Sequence, residues 1–188
     1  EGHPRRMGYP VPAVADLMEA YAARCGCSAR AEARVSDAVT RVSYAASLAE
    51  LGDVAAAIEL LRKVMDSFSR TLPHDHPNLL VVRGNFANYL RRLGDVAGAR
   101  SIREEVLRML TETLPPDHLG LQHARTGLAA VLLDSGDPYG AFLLYQQVLA
   151  VLTKSLPEEH PEVLKARSNI AATMHQLGDW NGALVLQE

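Results

Sequence analysis

Residues 93–134 read LGDVAGARSIREEVLRMLTETLPPDHLGLQHARTGLAAVLLD, and the blocks on either side fall into register with them. Residues 51–92 are LGDVAAAIELLRKVMDSFSRTLPHDHPNLLVVRGNFANYLRR, and residues 135–176 are SGDPYGAFLLYQQVLAVLTKSLPEEHPEVLKARSNIAATMHQ. A fourth block, LGDWNGALVLQE, fills residues 177–188. The period is 42 residues and no gap is needed. Nine columns are identical in the three full blocks, among them Gly52/Gly94/Gly136, Asp53/Asp95/Asp137, His76/His118/His160 and Arg83/Arg125/Arg167. A period between about 20 and 50 residues marks an architecture in which each repeat is one supersecondary unit.

The register settles how to read TLPHDHPNLL, residues 71–80, where His74, Asp75 and His76 resemble a metal site. The matching stretches are PPDHL and PEEHP, so His76 recurs and His74 does not. Packed helices stand about 10 Å apart, and metal bonds are about 2 Å long. The recurring histidines therefore cannot share an ion. Each is expected to close a loop and cap the helix that follows, and no metal or cofactor is expected.

Within a block the apolar spacing is helical. Leu79, Val82, Phe86, Tyr89, Leu90 and Leu93 recur at steps of three and four. Pro77 suits a first helical position, Gly94 a left-handed helix end, and Asp95 the cap of a second helix over Val96 to Thr113. Pro115 ends that helix. Ala87 and Ala99, with Gly98 beside them, are expected to let the two helices approach closely.

Composition bounds the function. Charge is balanced to a net −3, without the basic footprint that nucleic-acid binding needs. No run of about 18 apolar residues is present, so no membrane-spanning helix is expected. Cys25 and Cys27 form C-x-C without a second pair, which reads as incidental thiols in a cytoplasmic protein. The sequence has no phosphate loop, no Gly-x-Ser-x-Gly elbow and no His-Glu-x-x-His, so no catalytic residue is expected.

Two helices per block, Gly-Asp at the turn and Ala early in the second helix resemble tetratricopeptide repeats. The 42-residue period and the LPxDHP…RxNxA…LGD string are similar to the longer subclass found in kinesin light chains and in bacterial multidomain regulators. The resemblance covers residues 35–188. It implies an all-α, right-handed superhelical solenoid of antiparallel helix pairs. The units are expected at 35–76, 77–118, 119–160 and 161–188, the last one truncated. Residues 11–34 read as a degenerate helix or cap, Ala15 matching Ala57, and residues 1–10 as disordered.

The resemblance further implies that first helices line a groove for a peptide or partner segment, with no enzyme activity. Its fixed steps give Val81, Gly84, Asn85, Asn88 and Arg91 in the second unit. The third gives His123, Thr126, Gly127, Ala130 and Leu133; the fourth gives Lys165, Ser168, Asn169, Ala172 and His175. Asn85 and Asn169 match the asparagine that in the family grips a ligand's main chain, a task suited to an amide that both donates and accepts. Gly127 interrupts that column. Lys165, Arg91 and Arg92 favour an acidic partner. The arginine column is expected to pack its stems between helices and satisfy nearby acceptors.

An alternative reading is a regulatory or oligomerisation segment of a larger switch or protease protein, with the groove engaged by its own chain. The chain starts without Met and ends inside an apolar pattern, which reads as part of a longer protein. Ala183, Leu184 and Leu186 would leave an apolar face that promotes self-association.

Overall fold

The computed structural model describes residues 29–179, with side-chain surroundings from residue 40 onward. Expectations that fall on residues 1–28 and 180–188, including both cysteines and the apolar C-terminal face, lie outside the described residues. Among the described residues there are seven helices and no strand. They are α1 (Ala29–Glu50), α2 (Val54–Ser69), α3 (Pro77–Arg92), α4 (Val96–Thr113), α5 (Leu119–Asp134), α6 (Pro138–Ser155) and α7 (Pro161–Gln176). The first helix of the quoted block is α4, with the bounds read from its sequence. Helix α1 starts at Ala29, so residues 29–34 continue the first helix of unit 1. The run ARAEAR there consists of residues that lose little on entering a helix.

One turn recurs between the two helices of each of the first three repeats. At the end of α3, Gly94 takes φ +92°. Its N–H donates to the Arg91 carbonyl at 3.0 Å, and the Asp95 N–H donates to the Leu90 carbonyl at 3.0 Å. This bond pair is a Schellman motif and satisfies two carbonyls that the helix end leaves open. The Asp95 carboxylate then accepts from the Gly98 N–H at 2.9 Å, opening α4. Asp53 does the same for α2 and Asp137 for α6. One aspartate thus closes the first helix with its backbone and starts the second with its side chain.

The return loop depends on proline and histidine. Leu114 and Leu156, each preceding a proline, are extended with ψ 151° and 145°, as the proline ring requires. The chain turns through His118 N–H to Pro115 carbonyl and His160 N–H to Pro157 carbonyl bonds, both 3.0 Å. His76, His118 and His160 occupy the N-cap positions of α3, α5 and α7, as expected. Their Nδ1 atoms accept from the N–H groups of Asn78, Gly120 and Glu162 at 3.2, 3.0 and 3.2 Å.

The chain divides into two compact units, one through Leu114 and one from Pro115. In the first, α1 packs on α2 and α3, α2 on α3, and α3 on α4. Its core holds Ala45, Ala49, Ala57, Leu61, Val64, Phe68, Leu79, Val82 and Phe86. In the second, α6 packs on both α5 and α7, around Val148, Leu152, Val163 and Ala166. Ala87, Ala99, Ala129 and Ala141 are fully buried, in accord with their place at close helix approaches. At Gly98 the nearest neighbour is the capping carboxylate itself. A Cβ there would lie 2.4 Å from an oxygen of the Asp95 carboxylate, and Gly140 stands in the same relation to Asp137.

Candidate functional site

In the second unit, α5 and α7 present their facing sides over α6. Leu119, Val148, Leu152 and Ala166 supply apolar wall, and Gln122, His123, Thr126, Glu162, Lys165 and Asn169 supply polar groups. The space between them is shallow, about 300 Å³ with its open mouth included. Pockets that engulf a small molecule run to about 300–1,000 Å³ and cover most of its surface. A recess this shallow suits a segment laid across it.

The cleft unites four of the residues expected from the sequence: His123 and Thr126 from α5, Lys165 and Asn169 from α7. All but Lys165 are half-buried. Glu162 was not among the expected residues and lies beside both basic side chains. Its Oε2 lies 3.7 Å from His123 Nε2 and 3.9 Å from Lys165 Nζ. The signal that could have found it is its place three residues before Lys165 in the first turn of α7, where a carboxylate favours the helix N-terminus. Leu119 also escaped the sequence reading. It takes the helical position that Pro77 and Pro161 occupy in the other repeats, and turns it into cleft wall. Ser168 and His175 lie exposed on α7, outside the cleft lining.

In the first unit, the residues expected on α3 have different surroundings. Asn85 is 5% exposed and Asn88 9%, and Arg91 is half-buried. Asn88 Oδ1 accepts from Arg103 Nη2 of α4 at 2.6 Å, and Arg103 is itself 3% exposed. Arg103 stands where the other second helices carry Leu61 and Tyr145, so a cation replaces an apolar residue at this place in the core. A buried guanidinium needs acceptors to offset its lost hydration, and Asn88 is one of them.

Of the column Arg41, Arg83, Arg125 and Arg167, the last three are half-buried and engage acceptors as expected, whereas Arg41 is exposed. Arg83 Nη1 donates to Glu105 Oε1 at 3.0 Å. Arg125 Nη1 donates to Gln122 Oε1 at 2.9 Å, and burial lowers the Arg125 pKa. Gln122 in turn donates to the Pro116 carbonyl at 2.7 Å, tying the loop to α5. Arg167 Nη2 lies 3.2 Å from Glu158 Oε2. Burial also pushes the His76 pKa down, against a smaller upward pull from Asp75. A neutral imidazole is what the cap requires, because Nδ1 must keep its lone pair to accept the Asn78 N–H. Among the described residues, no group of three or more His, Cys, Asp or Glu is placed to hold a metal ion. No helix there is long and apolar enough to cross a membrane.

Comparison with known proteins agrees with this architecture. Two family profiles described as tetratricopeptide repeat match residues 36–112 and 121–162. A crystal structure of nearly identical TPR-like repeats, from a protein assigned as a kinesin light chain of Podosopora anserina, superposes with a TM-score of 0.76. It is 27% identical and covers 81% of this chain and 72% of its own. A point variant of the same protein gives the same values. BtubC (BKLC) from P. vanneervenii shares the fold, with a TM-score of 0.70 at 19% identity over 97% of this chain and 69% of its own. No curated protein matches the chain. Tetratricopeptide repeats generally mediate protein–protein interaction and are typically non-catalytic scaffolds. The close-set Gly-Asp turns, the histidine-capped first helices and these matches lead to one assignment: the chain belongs to the tetratricopeptide-repeat family, in its kinesin-light-chain-like form.

Proposed function

We propose that this chain is a non-catalytic, cytoplasmic interaction module that holds an extended segment of a partner protein in the cleft between α5 and α7. The supporting observation is the convergence of His123, Thr126, Lys165 and Asn169 on one shallow, apolar-walled recess. The Asn169 amide donates to and accepts from a peptide main chain, so it holds a segment whatever its side chains. The apolar wall takes the partner's small side chains. Lys165 and His123 face one carboxylate of the partner, which competes with Glu162 for them. An acidic partner is therefore preferred by a modest margin, since Glu162 already offsets part of the positive charge. In the first unit the counterparts Asn85 and Asn88 are buried, Asn88 on Arg103, so the proposal is confined to the second unit.

An array of immobilised decapeptides, with Asp, Lys or Ser walked along an otherwise Gly-Ala sequence, tests this reading on the intact chain. Peptides with one Asp should be retained best, and retention should fall at least about tenfold for Asn169→Ala. Retention that ignores Asn169→Ala and Lys165→Glu would remove the cleft from consideration.

A further inference from the structure

The second helices of the three full repeats differ in charge. Helix α2 carries four charged residues and α4 carries six, whereas α6 has one, Lys154, next to its last residue. The difference concentrates on one exposed seam of α6: Tyr139, Leu143, Gln146, Ala150 and Thr153. Tyr139 is 63% and Leu143 41% exposed. The steps between them are four, three, four and three, the spacing of a seam along which two helices pack. The same five positions are exposed in α2 and α4 too, so this side is turned to solvent in each of the three described second helices. There it bears Glu59, Arg62 and Asp66 on α2, and Glu104 and Arg108 on α4. Glu59 and Arg62 lie 3.7 Å apart as a solvated pair. Among the described second helices, that of repeat 3 alone is uncharged along this line.

We propose that the α6 seam is a homodimerisation surface, taking the α6 helix of a second copy of this chain in antiparallel orientation. The sequence along the seam is complementary to its own reverse. A twofold axis near Gln146 sets Tyr139 opposite Thr153 and Leu143 opposite Ala150, a large side chain against a small one each time. Facing large and small residues interdigitate, and a closed pair formed by one patch meeting itself is the commonest oligomer symmetry. Gln146 meets its own copy at the axis, where two amides satisfy each other as donor and acceptor. The seam offers no counter-charge, so a charged partner helix would leave its charges unpaired there. The run from Tyr139 to Thr153 spans only about 21 Å of helix. It buries less than the ~800 Å² per partner of a standard interface, so the dimer is weak and dilutes apart.

Sedimentation equilibrium of the intact chain over a hundredfold concentration range tests the proposal. The average mass should rise toward twice the monomer. Leu143→Glu with Ala150→Asp places on α6 the residues that α2 carries at those positions, so the helix should keep its circular dichroism and melting temperature. Association should weaken at least about tenfold. Leu143→Lys with Ala150→Arg should weaken it as much, and mixing the acidic and basic forms should restore it. A wild-type chain that stays monomeric throughout overturns the proposal. So does an acidic form that associates like wild type, which would assign association to another surface, or a mixture that fails to recover.

Discussion

Helices α3 and α7 stand two repeats apart and carry an asparagine in the same column, Asn85 and Asn169, yet water treats them differently. Asn85 is buried and its neighbour Asn88 is bound to Arg103, whereas Asn169 borders an open cleft and Ser168, Ala172 and His175 on the same helix are exposed. The period fixes the backbone, the caps and the direction in which each side chain leaves its own helix. Solvation is set by what packs beyond that helix, and it need not repeat. Chemically alike residues therefore serve the fold in one repeat and stand available to a ligand in another.

The sharpest way to break this comparison is to delete the amides in turn. Asn88→Ala removes an acceptor from a buried guanidinium and should cost about 1.5–3 kcal/mol in urea unfolding. Asn169→Ala should leave the unfolding free energy within about 0.5 kcal/mol of wild type while lowering peptide retention at least about tenfold. Equal destabilisation by the two would erase the distinction.

Next in size is the histidine cap. His76→Ala should cost about 0.5–2 kcal/mol. The wild-type cap also titrates. Burial holds the folded pKa of His76 below its ordinary value, so between the two values the unfolded chain binds more protons. The contribution is complete above about pH 6.5 and declines as pH falls from there toward the folded pKa. His76→Asn keeps a capping side chain without a titrating group, and its melting temperature should fall less between pH 7 and pH 5 than that of wild type. Parallel curves for the two proteins would show that the imidazole is not responsible.

A smaller effect runs the other way. Gly98→Ala should stabilise by about 0.4–1 kcal/mol through the unfolded chain, provided the Asp95 carboxylate shifts. Repeat 1 indicates that it can: Ala56 occupies the same position, and Asp53 still accepts its N–H at 2.9 Å. The smallest change belongs to Arg167→Met, whose partner Glu158 is 77% exposed at its side chain. It should move stability by less than about 1 kcal/mol, and calorimetry resolving a larger loss would show that the stem packs more tightly than the ion pair implies.

Most of the fold was legible because its determinants are local. Asp95 caps, Gly94 turns, Pro115 stops and His76 starts a helix, each through atoms only a few residues away, so a strict period copies each device. The candidate site was legible in part. The family resemblance pointed to His123, Thr126, Lys165 and Asn169, and these four do line the cleft. Glu162 and Leu119 escaped because their roles come from the helix across the cleft, and the burial of Asn85 and Asn88 escaped because it is a property of packing. The uncharged line on α6 appears in the sequence only once exposure tells which positions of a second helix to compare.

The turn glycines add a point about handedness. No atom lies within 4 Å of where a Cβ would sit on Gly52, Gly94, Gly136 or Gly178. Steric room is thus not what keeps side chains out; the backbone conformation, disfavoured for one mirror form and natural to the other, is. Chemical ligation that places D-alanine at residue 94 should yield a protein more heat-resistant than the parent, whereas L-alanine at the same residue should melt earlier.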